Sequence, residues 1–344
     1  MTQPFRLALV TDAWAPQVNG VVNTLERVLA LIRSWGDEVT VIAPERFRTV
    51  PCPTYPEIRL SLATPAAVAR SIAASSADFV HIATEGPLGV LARRYCLANR
   101  RGFTSSYLTR FPEYISARVP IPLTWTYAIM RRFHNAGLGC MVSSASMEAE
   151  LGARGFRHLM RWSRGVDRQL FRPRSDADLR LARPVFLYVG RVALEKNIDA
   201  FLRLDLPGSK VVVGDGPARA GLAREYPAAH FLGVLRGEAL ARAYAAADVF
   251  VFPSLTDVFG NVMLEALASG VPVAAFPVTG PKDVITDPRI GVLDADLRSA
   301  ALAALNLDRG DARDFSARFS WEASAAVFRE NILVANRSDA RIAA

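Results

Sequence analysis

Asp257 and Glu265 stand eight positions apart in the stretch Pro253–Phe276, with Phe259-Gly260-Asn261 between them. Ionised carboxylates only accept hydrogen bonds, so a pair at this spacing suits the hydroxyls of a sugar or of a ribose diol. Gly260 lets a ligand approach the backbone, and the helix beginning at Asn261 offers unpaired N–H groups to an anion such as a diphosphate. Upstream lie two cations, Arg191 and Lys196. Lysine occurs only at 196, 210 and 282 in a chain that otherwise uses arginine, which weakens a surface-filler explanation for Lys196. Arg191 can fork across phosphate oxygens while Lys196 adds a compact charge, the pairing expected around a diphosphate leaving group. The combination calls for a nucleotide-sugar.

These groups need strands and helices to hold them. Val249–Phe252 is a buried apolar strand, Asn261–Ser269 has helical composition, Gly270 suits a helix C-cap, and Val271–Ala275 starts the next strand. Val185–Val189 and Val211–Val213 are further strands, ending at Gly190-Arg191 and at Gly214-Asp215-Gly216. Arg219 stands where a dinucleotide fingerprint needs a third small residue, which excludes an NAD site. In the first half, Phe5–Val10, Val39–Ala43, Phe79–Ile82 and Cys140–Ser143 are strands, the last closing the first domain, and residues 44–60 are a Pro-rich excursion. Strands alternating with helices predict parallel βαβ units, whose ligands gather beyond the carboxyl ends of strands. Glu85 occupies such an end, as an acceptor contact or as the cap of the helix that follows. Asn19-Gly20, after Pro16-Gln17-Val18, opens the first helix and makes a small backbone site for an anion or a sugar hydroxyl.

The 344 residues, 51% hydrophobic and 22% charged, suffice for two domains. Three separated cysteines read as buried thiols in a reducing cytoplasm, and no apolar run reaches the roughly 18 residues of a membrane span. The net charge of +8 is uneven: residues 1–174 hold 22 Arg and 12 acids, giving +10, and the remainder 19 basic and 21 acidic residues, giving −2. Such a basic half suits an anionic membrane surface, and an Arg-rich solvated surface fits as well. Nucleic acid is not expected, because no recognition module accompanies the charge. Trp125 and Tyr127 ahead of Arg131-Arg132 suit a headgroup zone, or a core helix with one basic edge.

The stretch from Asp257 through Glu265 to Ala268-Ser269-Gly270, with Pro272 and Val273, resembles the retaining glycosyltransferases of family four, whose first acid is usually Glu. The resemblance extends to the bacterial GDP-mannose-dependent mannosyltransferases and diacylglycerol glycosyltransferases. It implies a GT-B fold, two Rossmann-like α/β domains with doubly wound parallel sheets facing a central cleft. The expected domains are 1–174, which binds the acceptor and receives a closing helix at 322–344, and 175–321, which binds the nucleotide-sugar. The resemblance assigns catalysis to Arg191, Lys196 and Asp257. Donor contacts are Gly20, Gly190, Leu235 (in a loop that holds the base), Phe259, Gly260, Asn261 and Glu265, the last on the ribose diol. Acceptor-side candidates are Asn19, Glu85 and Arg110. The implied reaction moves a hexose from a UDP- or GDP-linked donor to a lipid or glycan, with retention, in the cytoplasm or peripherally on the inner face of the plasma membrane.

Neither Asp176-Ala177-Asp178 nor Asp294-Ala295-Asp296 follows a strand at the site, so no metal and no cofactor are expected. One departure bears on activity. Leu108 fills the place where the family carries His before a Phe-Pro-Glu-Tyr run, and leucine cannot exchange a proton. A sugar-nucleotide epimerase and a catalytically weakened nucleotide-sugar-binding protein are the alternatives.

Overall fold

The computed structural model describes residues 4–17, 19–52, 55–116 and 119–342. Contacts divide it into two compact units, Met1–Ser163 with Trp321–Ala344, and Arg164–Ser320.

The first unit runs β1 (Arg6–Val10), α1 (Gly20–Ser34), β2 (Glu38–Ile42), β3 (Thr49–Cys52), β4 (Tyr55–Ser61), α2 (Pro65–Ala74), β5 (Phe79–Ile82) and α3 (Pro87–Ala98). It continues with β6 (Thr104–Ser106), α4 (Phe111–Ser116), α5 (Leu123–His134), β7 (Gly139–Val142), α6 (Ala145–Ala153) and β8 (Leu159–Arg161). Six strands form a parallel sheet in the order β2-β1-β5-β6-β7-β8. Side chains alternate between its faces: Leu7 and Leu9 enter one core, Ala8 and Val10 the other. β6 and β8 are two strands more than the sequence pattern suggests, because each is a run of three residues, too short to read. Within the Pro-rich excursion, β3 and β4 pair as a separate antiparallel ribbon, where Pro51 breaks no ladder of the main sheet.

The second unit contains β9 (Val185–Val189), α7 (Ile198–Leu202), β10 (Ser209–Val213), α8 (Arg219–Glu225), β11 (His230–Gly233), α9 (Gly237–Ala246) and β12 (Val249–Phe252). α10 (Asn261–Ala268), β13 (Val273–Ala275), α11 (Pro281–Val284), β14 (Gly291–Leu293), α12 (Leu297–Ala304) and α13 (Arg309–Phe315) complete it. Its parallel sheet has the order β11-β10-β9-β12-β13-β14. β9 and β12 are buried at every position because helices cover both faces. α9 and α10 pack with Leu187 and Phe250 on one face; α7 and α12 pack with Phe186 and Val251 on the other.

The last helix, α14 (Trp321–Ile342), belongs to the first unit. Ala325, Phe328 and Ile332 enter the core of Leu7 and Leu9, and Arg329 forks onto buried Asp37 at 2.6 and 3.0 Å. Asp37 also accepts the Phe5 N–H at 3.0 Å, which ties the start of β1 to the same carboxylate.

The expected boundary near residue 174 is corrected to Ser163/Arg164. Val166 and Phe171 are buried in the second unit's core, and Arg313 donates to the carbonyls of Phe171 and Arg168. A Pro- and Arg-rich stretch reads as a linker although its apolar residues are committed to one side.

The loops leaving β9 and β10 are packed backbone to backbone. Gly190 N–H donates to Val213 O, and Val192 N–H to Asp215 O, at 3.0 and 2.9 Å. Gly214 has φ +135°, and a Cβ there would lie 1.9 Å from Gly190 O. Gly214→Ala is therefore expected to destabilise the fold by on the order of 3 kcal/mol, since backbone strain and a backbone clash coincide. Urea unfolding checks this; a loss under about 1 kcal/mol would show that the loop yields.

Candidate active site

In the second sheet, β9 is flanked by β10 and β12, and the chain leaves β9 and β12 toward helices on opposite faces. Ligands of open α/β sheets collect at such a point, where the strand order reverses. The loop 190–197 follows β9, the loop 253–260 follows β12, and three side chains join them. Lys196 Nζ meets Asp257 Oδ1 at 2.5 Å; Asn197 donates to Pro253 O at 3.0 Å; Thr256 Oγ1 donates to Glu195 O at 3.3 Å. Asn197 reaches across because its backbone is left-handed (φ 52°), which ends the short turn carrying Lys196 and begins α7.

The ion pair is largely enclosed, with Lys196 and Asp257 side chains 19% and 17% exposed. Asp257 Oδ2 is buried and accepts no hydrogen bond from the described residues, an expensive state for a carboxylate oxygen. Arg191 follows Gly190, and Tyr188 Oη donates to the Arg191 carbonyl at 2.9 Å, fixing the main chain there. Phe259 is buried, and Gly260 has φ +91° at the N-terminus of α10; a Cβ there would meet Met263 and Phe252 at 2.8 and 3.0 Å. Asn261 is the first residue of the helix. Leu235 lies in the loop after edge strand β11, half-buried against the core.

Glu265 sits on the second turn of α10, where Tyr244 Oη donates to Oε2 at 2.9 Å. Burial pushes the Glu265 carboxyl up to about 7, and the Tyr244 hydrogen bond opposes that shift. Sequence reasoning missed Tyr244, 21 positions away on α9. The signal available was a lone tyrosine in the alanine-rich run Ala-Arg-Ala-Tyr-Ala-Ala-Ala. Asn197 and Thr256 were also missed, since nothing local marks a residue that reaches another loop.

The first sheet has its own reversal between β2-β1 and β5. Beyond it, Asp12 is buried and accepts from the N–H groups of Leu88 and Gly89 at 2.8 and 3.3 Å and from Thr84 Oγ1 at 2.9 Å. Asp12 therefore caps α3, which corrects the alternative that Glu85 does so. Glu85 instead meets His134 Nε2 at 3.0 Å inside the unit, while Ser105 Oγ meets His134 Nδ1 at 2.9 Å. Burial opposes charge on His134, and the neighbouring Cys140 and Glu85 outweigh it and raise the imidazole pKa. His81, bonded to Thr104 and Ser106 and wholly buried, is lowered to about 3 by desolvation.

Asn19 caps α1, its side-chain oxygen accepting from Val21 and Val22 N–H at 3.0 Å each. Two of the amides that an anion would use are thus already taken, with Gly20 as the first helical residue; Val18, next to them, lies outside the described residues. Arg110 is buried against Glu113 at 3.1 Å and against Glu150 at 3.0 and 2.6 Å, with Tyr127 Oη donating to Glu113 at 2.6 Å. Leu108 packs into the core of Leu9 and Leu25. Both Asp-x-Asp segments have structural partners: Asp176 pairs with Arg242, and Asp296 caps α12.

Two families match the sequence: the one described as Glycosyltransferase Family 4 over residues 18–170, and Glycosyl transferases group 1 over residues 183–307. The GDP-mannose-dependent alpha-mannosyltransferase of Mycobacterium tuberculosis is 34% identical, covering 84% of this chain and 83% of that protein. Sulfoquinovosyl transferase SQD2 of Arabidopsis thaliana is 32% identical over 85% of this chain and 63% of its own length. Among solved structures, Anabaena HepE in complex with UDP superposes with a TM-score of 0.69 at 14% identity, covering 96% of this chain and 100% of that one.

A carboxyl raised in the folded state stabilises the fold below its unfolded value, and that stabilisation is lost as pH rises through the folded value. For Glu265 the window runs from 4.5 to about 7. Glu265→Gln should therefore gain about 2 kcal/mol of stability relative to the wild type between pH 5 and pH 8, since each tenfold change in proton affinity is worth ~1.4 kcal/mol. Urea unfolding at both pH values measures it, and a difference that does not vary with pH contradicts the assignment.

Proposed function

This chain belongs to glycosyltransferase family four, with the two parallel-sheet α/β domains of the GT-B fold, and on that footing we propose a specific reaction and acceptor for it. The enzyme moves a hexose from a nucleoside diphosphate sugar to a membrane lipid, with retention at the anomeric carbon and without a metal. The relatives named above include a GDP-mannose-dependent enzyme, which favours mannose as the sugar.

The observation that carries the reading is the Lys196–Asp257 pair at the reversal of the second sheet. A diphosphate entering there meets Lys196, Arg191 and the amides beside Gly260. Lys196 is already charged and held at the place where negative charge develops as the glycosidic bond breaks, so little reorganisation is needed. Asp257 keeps its second oxygen for a sugar hydroxyl, and Glu265 offers Oε1 to the ribose diol. Charge from these side chains takes the part a divalent cation plays elsewhere. The retained configuration follows if the acceptor attacks from the face the diphosphate leaves.

For the acceptor, the supporting observation is an exposed apolar surface on the first unit. Trp125 and Ile129, one turn apart on α5, are 69% and 62% exposed, and Val119, Ile121 and Leu123 just before them are exposed too. Arg131 and Arg132 end the same helix in solvent, and exposed Arg94 is on neighbouring α3. Aromatic and aliphatic groups edged by arginine suit an anionic headgroup layer. No helix among the described residues is long and apolar enough to cross a membrane.

Lys196→Ala should lower turnover by about 10²–10³, the scale of losing one preorganised electrostatic donor. Release of GDP from GDP-mannose, with a lipid extract as acceptor, measures it. Unchanged turnover contradicts the role, and donor binding without release by the wild type would favour the non-catalytic alternative. The wild type should co-sediment with phosphatidylglycerol vesicles at low salt, and Trp125→Ser with Ile129→Ser should lose most of that binding; failure of the wild type to sediment removes the membrane from the reading.

A further inference from the structure

Glu265 takes its orientation from a residue on another helix. The Tyr244 ring is fully buried, edge-on to Phe171 with centroids 5.6 Å apart and 5.7 Å from Phe250. Its hydroxyl thus reaches Glu265 Oε2 from a fixed direction, at 2.9 Å. Oε1 takes no hydrogen bond from the described residues, so the carboxylate is half held and half presented.

We propose that Tyr244 is a positioning residue for the donor, holding one oxygen of Glu265 so that the other meets the ribose diol. This rests on the reading of Glu265 as the ribose contact. The hydroxyl remains a donor at all working pH values, because burial raises the Tyr244 phenol well above its usual value and the Glu265 charge adds to that. Tyr188 on β9 is a further titratable group near Tyr244. From α13, packed on α10, Arg309 donates to the carbonyls of Ala245 and Ala247, and Arg313 to that of Ala268. On α9, Arg242 pairs with Asp176 and Glu238 with Arg174; in the turn after α13, Arg318 stacks on Phe315. Tyr244 is left as the group that orients Glu265.

Tyr244→Phe keeps the ring and removes only the hydroxyl, so the packing survives. The probes are GDP-mannose and UDP-glucose, whose diphosphates are esterified at both ends and do not titrate near neutrality. With the probe that binds, titration calorimetry from pH 6 to pH 9 should show Kd raised about tenfold at pH 7 in Tyr244→Phe, the worth of one hydrogen bond to a charged group. The gap should close toward pH 9, since Glu265 without its partner keeps its proton to higher pH. In Glu265→Gln the pH dependence should flatten, and adding Tyr244→Phe to it should cost nothing more. An unchanged Kd in Tyr244→Phe, a rise equal at every pH, or additive losses in the double variant overturns the positioning role. If Glu265→Gln binds as the wild type does, or neither probe binds the wild type, the reading of the site itself has failed.

Discussion

The second unit depends on a parallel sheet whose first strand, β9, must feed a connection on one face while its neighbour β12 feeds one on the other. Two loops then part at the strand ends, and their backbone groups and polar side chains need partners. Lys196, Asn197 and Thr256 supply those partners across the gap. The same contacts that keep the loops together hold Lys196 on Asp257 and leave the second Asp257 oxygen without a donor among the described residues. Fold and site share one set of bonds.

That sharing has a chemical consequence. An ion pair screened from water interacts more strongly than a surface pair, yet each partner also loses hydration on becoming enclosed. A diphosphate near Lys196 and a sugar hydroxyl near Asp257 would replace partners that are already preorganised. Glu265 follows a related pattern, with one oxygen anchored to Tyr244 and the other left open. In both cases the protein satisfies one oxygen of a carboxylate and leaves the other without a hydrogen bond from the described residues.

Groups within one loop-helix segment were legible from sequence, because Asp257, Gly260 and Glu265 are fixed relative to one another by local geometry. The longer strands of both sheets were legible for a similar reason, since a strand buried on both faces is a continuous apolar run, whereas the short β6, β8 and β14 were not. What escaped depends on distance along the chain. Asp12 caps a helix 76 positions later, Tyr244 sits on a separate helix from its carboxylate, and Arg110 meets Glu150 40 residues on. Glu85 looked like a cap because it precedes a helix, but the cap position was filled from another strand end. The boundary near Arg174 misled because Val166 and Phe171, the apolar residues that settle it, are sparse among arginines.

The first unit is discontinuous, and α14 completes it through Phe328 and the Arg329–Asp37 fork. During synthesis, 157 residues (164–320) separate the end of its sheet from that helix. At about 5–20 residues per second, the ribosome takes roughly 8–30 seconds to deliver the closing piece. Over that interval the core of Leu7 and Leu9 has α1 against it but lacks Ala325, Phe328 and Ile332, and Asp37 lacks its Arg329 partner. The carboxyl-terminal unit, a continuous segment, can therefore finish folding before the amino-terminal one is complete.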